Sequence, residues 1–250
     1  MLARDLLTAR SEPGVWFGKQ QMMRKTGVAV VAALVLAGGL PRIAHAQMAG
    51  CGNPFAKSGF GPFDYRVARA EDLHVVERRH FTSDVAMLRR GESTSQIGGD
   101  VAYTLRAFPN HYRALQAMAK LSLKVGANPP SGAGLPVECW FERGVQFVPD
   151  DAMVRVLYGN YLSRKGQLKE AVAHYEQARE LAQNSANVHY NLGLAYFNQK
   201  DYEQALASAH TAYALGFPLP GLRDMLKRAG KWAEPAPSAE PQPESPSASR

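Results

Sequence analysis

The sequence predicts an all-α solenoid of helical hairpins, on three observations. Gly159, Ala171 and Ala178 recur as Gly193, Ala205 and Ala212, each pair 34 residues apart. Both copies, residues 151–184 and 185–218, carry two runs of helical spacing separated by a short polar turn, at 164–167 and 198–201. Pro109 and Pro149 each stand just ahead of a first helix and lie 40 residues apart, so an earlier copy fits once six extra residues are placed in the turn at 128–136. A fixed period of this length marks stacked supersecondary units, none of which buries its apolar face alone. About three units, a capping helix and an irregular N-terminal extension account for the chain.

The N-terminal 46 residues read as a targeting region. Met22-Met23-Arg24-Lys25 opens a charged segment, residues 27–40 are apolar or glycine, and Pro41 precedes Ala44-His45-Ala46, with small residues where a signal peptidase cuts. The apolar run is shorter than the roughly 18 residues a spanning helix requires. Cleavage after Ala46 is expected, with residues 1–21 lying upstream of a true start at Met22 or Met23. The mature chain is then periplasmic, with no stable membrane insertion. Met48-Ala49-Gly50-Cys51 resembles a lipobox, but residues 41–47 separate it from the apolar run.

Charge is less informative than its total of +7 implies. Six of the basic residues fall in residues 1–46, and removing that region leaves 23 basic against 20 acidic. A mildly basic domain of this kind is no electrostatic funnel for phosphates, so no nucleic-acid partner is expected. The two cysteines, Cys51 and Cys139, both lie in the exported part. An oxidising compartment and an even count favour a Cys51–Cys139 disulfide. The other reading is a buried free Cys139 beside Trp140 and Phe141.

Along the mature chain, residues 47–100 are rich in breakers and are expected to be irregular, with a short strand or extended segment at His74–Val76. Residues 83–90 suggest a short helix capped by Ser83 or Asp84. Residues 100–108 and 110–124 are helical by spacing, with Pro109 ending one helix and seeding the next. The loop at 128–136 is followed by a helix at 137–148, and Asp150 is the expected N-cap of the helix after it. The solenoid thus runs over 101–232, in units at about 112–151, 152–185 and 186–219, with a capping helix at 222–231. Residues 233–250, rich in Pro and Ser, hold no core-forming pattern and are expected to be disordered.

The spacing of these residues resembles the tetratricopeptide repeat (TPR). Leu192-Gly193 with Tyr196, then Ala205 and Ala212, match its pattern, as do Gly159 with Leu162, then Ala171, Tyr175 and Ala178. The small residues let two helices approach closely while Tyr175, Tyr196 and Tyr202 fill the gaps. His189 departs from the pattern, standing where the family often has Trp, and Phe217-Pro218 displaces the terminal proline by one. GPFDYR (61–66), YTLRAFPNH (103–111) and ECWFERG (138–144) also resemble segments of exported repeat proteins.

The resemblance implies a superhelix whose inner face is lined by first helices. It places a peptide-binding groove at Asn160, Arg164, Tyr190, Asn191, Leu194 and Phe197, with Val156 and Asn198 beside them. Some members of the family grip a peptide carboxylate with a Lys and two Asn. Asn160 and Asn191 hold the Asn places, Val156 stands where the Lys would be, and Asn191 also fits a generic role of bonding neighbouring backbone. An extended peptide making apolar contacts with Tyr190 and Phe197 is the favoured binding picture.

Motifs of enzyme chemistry are sparse. His74, Glu77 and His80 have neither zincin nor inverted-zincin spacing. There is no Gly-rich phosphate loop, G-x-S-x-G or C-x-x-C, and neither metal nor cofactor is implied. The expected function is an exported protein- or peptide-binding scaffold or adaptor of the bacterial cell envelope. The alternative is an enzyme or small-ligand site formed by residues 61–111 against the first repeat, with His74, His80 and His111 as participants.

Overall fold

A computed structural model describes residues 50–235, Ser58 excepted. The signal region, the first two lipobox residues and the tail beyond Pro235 lie outside the described residues. Ten helices and no strand occur among those described: α1 (Ala70–His80), α2 (Ser83–Ala86), α3 (Ile97–Ala107), α4 (Tyr112–Val125), α5 (Val137–Phe147), α6 (Ala152–Arg164), α7 (Leu168–Leu181), α8 (Ala186–Asn198), α9 (Tyr202–Ala214) and α10 (Gly221–Arg228). None is long and apolar enough to cross a membrane.

The first helices of the units begin at side-chain caps, which satisfy amide donors that a helix start leaves free. Asp151 accepts from the amides of Met153 and Val154, and Ser185 accepts from that of Val188. At α4 the cap is a histidine, His111, whose Nδ1 accepts from the Ala114 amide at 3.2 Å. The cap of α6 is therefore Asp151, one residue later than the Asp150 expected. Asp150 instead lies on the surface and accepts from Arg66.

Hairpins α4/α5, α6/α7 and α8/α9 follow one another, and α4, α6, α8 and α10 pack side by side along one face. The small residues of the repeat lie at the closest approaches. Ala171, Ala178, Ala205 and Ala212 are fully buried, and Gly159 lies under the ring of Tyr175. One apolar core runs from Phe81 through Trp140 and Phe141 to Leu192, and a second centres on Leu222 and Leu226 at the C-terminal end.

The extension is more ordered than its composition implied. His74–Val76, expected as strand or extended chain, lies inside α1. Glu71 and Asp72 in its first turn and Arg78, Arg79 and His80 in its last complement the helix dipole. Leu73 and Val76, three residues apart, supply its apolar stripe against Phe108. The β-branched pair Val75-Val76 favours a strand by propensity, but burial of one face decides for a helix. Residues 83–90 form a helix only as far as Ala86, with Thr82 at the cap position. Helices α1 and α3 pack together ahead of α4, adding a helical pair before the three units.

Three anchors tie the extension down. Cys51 and Cys139 form a disulfide, and Arg143 Nη1 donates to the Cys51 carbonyl at 3.2 Å. The Phe63 amide donates to the Ala107 carbonyl at 2.8 Å. Gly61 has φ +98°, and a Cβ there would stand 2.5 Å from that same carbonyl, so any other residue would be both strained and obstructed. The segments 61–66, 103–111 and 138–144 thus meet in space and fasten the extension to the first unit.

Candidate functional site

Two places gather polar side chains: the inner face between α4 and α6, and the node where the extension meets the starts of those helices. At the inner face, Gln116, Lys120 and Leu123 of α4 oppose Leu157, Asn160, Tyr161 and Arg164 of α6 across a cavity of about 210 Å³. The helical spacing of three and four residues puts each set on one side of its helix. Leu157 and Tyr161 are buried and make the floor, while Lys120 and Arg164 are exposed at the rim. Ligand pockets for drug-sized molecules run to roughly 300–1,000 Å³. A cavity of this size suits a side chain of an extended segment better than a whole small molecule. Hollows of about 500–560 Å³ elsewhere are shallower surface features, and the one at His210, Tyr213 and Trp232 is partly covered by the chain's own Glu234 and Pro235.

Neighbouring bonds fix the cavity's polar groups. Asn160 Oδ1 accepts from the Tyr175 hydroxyl at 2.8 Å, which holds the amide in a set orientation. The Tyr161 hydroxyl donates to Glu138 Oε1 at 3.2 Å, and burial together with that carboxylate pushes its phenol pKa up. Burial acts to raise the Glu138 pKa, but hydrogen bonds from Lys165 at 2.6 Å and Asn128 at 2.6 Å outweigh it and hold the group below the usual range. The carboxylate bonded to the Tyr161 hydroxyl is therefore ionised and already paired with Lys165. Lys120 and Arg164 form no ion pair among the described residues.

The structure does not gather the six groove residues named from sequence. Asn160 and Arg164 line the α4/α6 cavity. Tyr190, Leu194 and Phe197 instead pack against the cluster of Leu222 and Leu226, and the Tyr190 ring stacks on Phe217 at 3.8 Å. There they are partly buried, against residues of α9 and of the capping helix α10. Asn191 donates to the Asn187 carbonyl at 2.8 Å and to its side-chain oxygen, the local role open to it in the sequence. Gln116, Lys120, Leu123, Leu157 and Tyr161 were missed. A signal for two of them was present, because the 40-residue offset of Pro109 and Pro149 carries Gln116 and Lys120 onto Val156 and Asn160.

At the second node, Asn110 is fully buried and joins three segments. Its Nδ2 donates to Asp64 Oδ1 at 2.7 Å and to Asp151 Oδ2 at 3.1 Å, and its Oδ1 accepts from the Tyr65 amide at 2.9 Å. The Tyr112 hydroxyl donates to Asp151 at 3.0 Å, and burial, reinforced by Asp151, pushes the phenol up. Burial favours protonation of Asp64, yet the bonds from Arg66 and Asn110 prevail and lower its pKa. These groups satisfy one another and hold the extension against the helix starts.

The three histidines of the alternative site do not converge. His74 is exposed on α1. His80 Nδ1 lies 2.9 Å from the buried Asp100, which also accepts from the backbone amides of Glu92 and Ser93 and so organises the loop before α3. His111 is fully buried, with Nε2 at 3.0 Å from Glu77 Oε1. Since its Nδ1 accepts from a backbone amide, the proton sits on Nε2 and is donated to Glu77. Burial, acting against that carboxylate, keeps its pKa below the ordinary histidine value. No group of three or more His, Cys, Asp or Glu side chains able to hold a metal ion occurs among the described residues.

Comparison with known proteins places the repeat. Residues 159–200 match the family model described as TPR repeat, and residues 186–216 match the one described as tetratricopeptide repeat. One solved structure that the chain is similar to is described as "MamA MSR-1 C2". It is 18% identical, with 61% of this chain and 80% of that chain covered and a TM-score of 0.40. No curated protein matches. The chain therefore carries tetratricopeptide repeats in an all-helical solenoid, and repeats of this kind mediate protein–protein interaction in general.

Proposed function

We propose that the protein is an exported scaffold that holds a protein partner in the bacterial cell envelope, receiving an extended segment of it along the inner face of the solenoid. The observation that carries this reading is the α4/α6 cavity, with its apolar floor of Leu157 and Tyr161, the oriented amide of Asn160 and the rim cations Lys120 and Arg164. Preformed concave faces of stacked helices suit extended partners, because the surface is already ordered before binding. Export is supported by the signal-like residues 22–46 and by the Cys51–Cys139 disulfide, a bond that persists in oxidising compartments.

The test is site-directed photo-cross-linking in the intact envelope. A cross-linking residue at Gln116 is expected to capture a discrete partner, and one at Ala173 on the outer face is not. Equal capture at both positions, or none at Gln116, would overturn the groove. Fractionation with N-terminal sequencing checks export, and a mature chain starting at Gln47 is the expected result. Alanine at both Tyr190 and Phe197 is a poor probe, because it would also undercut α10.

A further inference from the structure

Charge is divided between the two layers of the solenoid. The inner helices α4, α6 and α8 contain no Asp or Glu, whereas the outer helices carry Glu138 and Glu142 on α5, Glu170, Glu176 and Glu180 on α7, and Glu203 on α9. Helices α4 and α6 hold basic residues instead, and these differ in how they are engaged. Arg155 reaches outward to Gln177 and the Pro149 carbonyl, Arg113 lies over the Phe81 ring, and Lys124 Nζ is 3.4 Å from the Leu88 carbonyl. Lys120 and Arg164 are left, both exposed, on opposite sides of one cavity.

We propose that the occupant of this inner face is an acidic, extended peptide segment of the partner. Its carboxylates would sit between Lys120 and Arg164, and its intervening apolar side chains would rest on Leu123, Leu157 and Tyr161. This deepens the scaffold reading above and depends on the inner face being the partner surface. Charge complementarity carries the choice of occupant. A cationic partner would meet two unpaired cations with no carboxylate to relieve them, since Glu138 is spent on Lys165, Asn128 and Tyr161. The outer layer repels an acidic strand, so the same charge division directs it to the inner face. Asn160 adds an amide, held by Tyr175, to the lining of the same cavity.

The experiment uses the full mature chain and a fluorescent peptide alternating Glu with Leu. About eight residues at ~3.3 Å each cross three helices spaced ~8–10 Å apart. Anisotropy at low salt is expected to show saturable binding that weakens about tenfold or more on adding salt or on introducing Lys120→Glu with Arg164→Glu. Both side chains are exposed and unpaired, so the doubly reversed chain should keep its circular dichroism and melting temperature. The outer control on α7, Lys169→Glu with Arg179→Glu, should leave binding within about twofold. If a Gln/Leu peptide binds as tightly and still requires the inner face, the groove stands and the acidic occupant falls. If the acidic peptide binds but ignores the inner-face reversal, both readings fall. Absence of saturable binding, or equal competition by inorganic polyphosphate, would also overturn the proposal.

Discussion

The ring of Tyr175 on α7 lies so close to Gly159 on α6 that a Cβ at residue 159 would stand 2.8 Å from its Cε1 and Cζ atoms. The same tyrosine donates its hydroxyl to Asn160, so one side chain sets both the closest approach of the hairpin and the orientation of an amide in the inner-face cavity. Repeat packing and the proposed binding surface are thus mechanically joined.

Gly159→Ala is expected to destabilise the fold by about 1–3 kcal/mol, because the buried ring must shift to admit a methyl group. Tyr175→Phe, which keeps the ring and loses only the bond to half-buried Asn160, should cost about 0.5–1.5 kcal/mol. Urea unfolding monitored by circular dichroism separates the two, and a Gly159→Ala protein as stable as the parent would refute the packing argument.

The disulfide closes a loop across a sequence separation of 88 residues. Chain entropy gives such a loop an upper value of about 4–5 kcal/mol, and removal of native disulfides commonly costs about 2–5 kcal/mol. Replacing Cys51 and Cys139 together by Ser should lower the denaturation midpoint accordingly and expose residues 50–69 to protease before the helical repeats are cut. Unchanged protection of that segment would show that the bonds of Phe63 and Asn110 suffice to hold it.

Asn110 supplies one amide to two carboxylates. Asn110→Ala would leave Asp64 and Asp151 facing each other without their shared donor and is expected to cost about 1–3 kcal/mol. The loss should appear as faster amide exchange in residues 61–66 and in the first turn of α6. A change in exchange spread evenly over α8 and α9 would contradict a local role.

The pH dependence of stability has a determinate sign. His174 is held by burial, and secondarily by Arg155, from the ordinary 6.5 down to about 4, and His111 is lowered in the same direction. Both are neutral in the fold at pH 7, so the unfolded chain takes up protons first as the pH falls below 6.5. Stability is therefore full above that value and is lost progressively toward pH 4, by roughly 2 kcal/mol between pH 7 and 5 for His174 alone. His174→Phe, which keeps a ring against Tyr158, should flatten the slope of unfolding free energy over this window. An equally steep slope in that variant would assign the effect to other groups.

The repeats at 151–218 are the more legible part of the sequence. The 34-residue recurrence of Gly159, Ala171 and Ala178 identifies hairpins because close helix contact requires small side chains at fixed intervals, and that requirement is local. The extension offered no such period. Val75-Val76 favoured a strand, and only the packing of Leu73 and Val76 near Phe108 made α1 a helix. The three segments around Asp64, Asn110 and Arg143 stood out as motifs, but their meeting depends on contacts between residues tens of positions apart.

What the sequence determined by itself is the repeat, its helical hairpins and the pairing of the two cysteines as one of two readings. What only the tertiary structure decided is which side of each first helix is left uncovered. Tyr190, Leu194 and Phe197 occupy the same helical face as Val156 and Asn160 do one repeat earlier, and periodicity treats them alike. Residues of α9 and α10 partly cover the former, whereas Val156 is buried and Asn160 lines the open cavity between α4 and α6. The physical reason is that helical spacing fixes the direction of a side chain from its own axis, whereas exposure depends on the neighbouring helix laid against it.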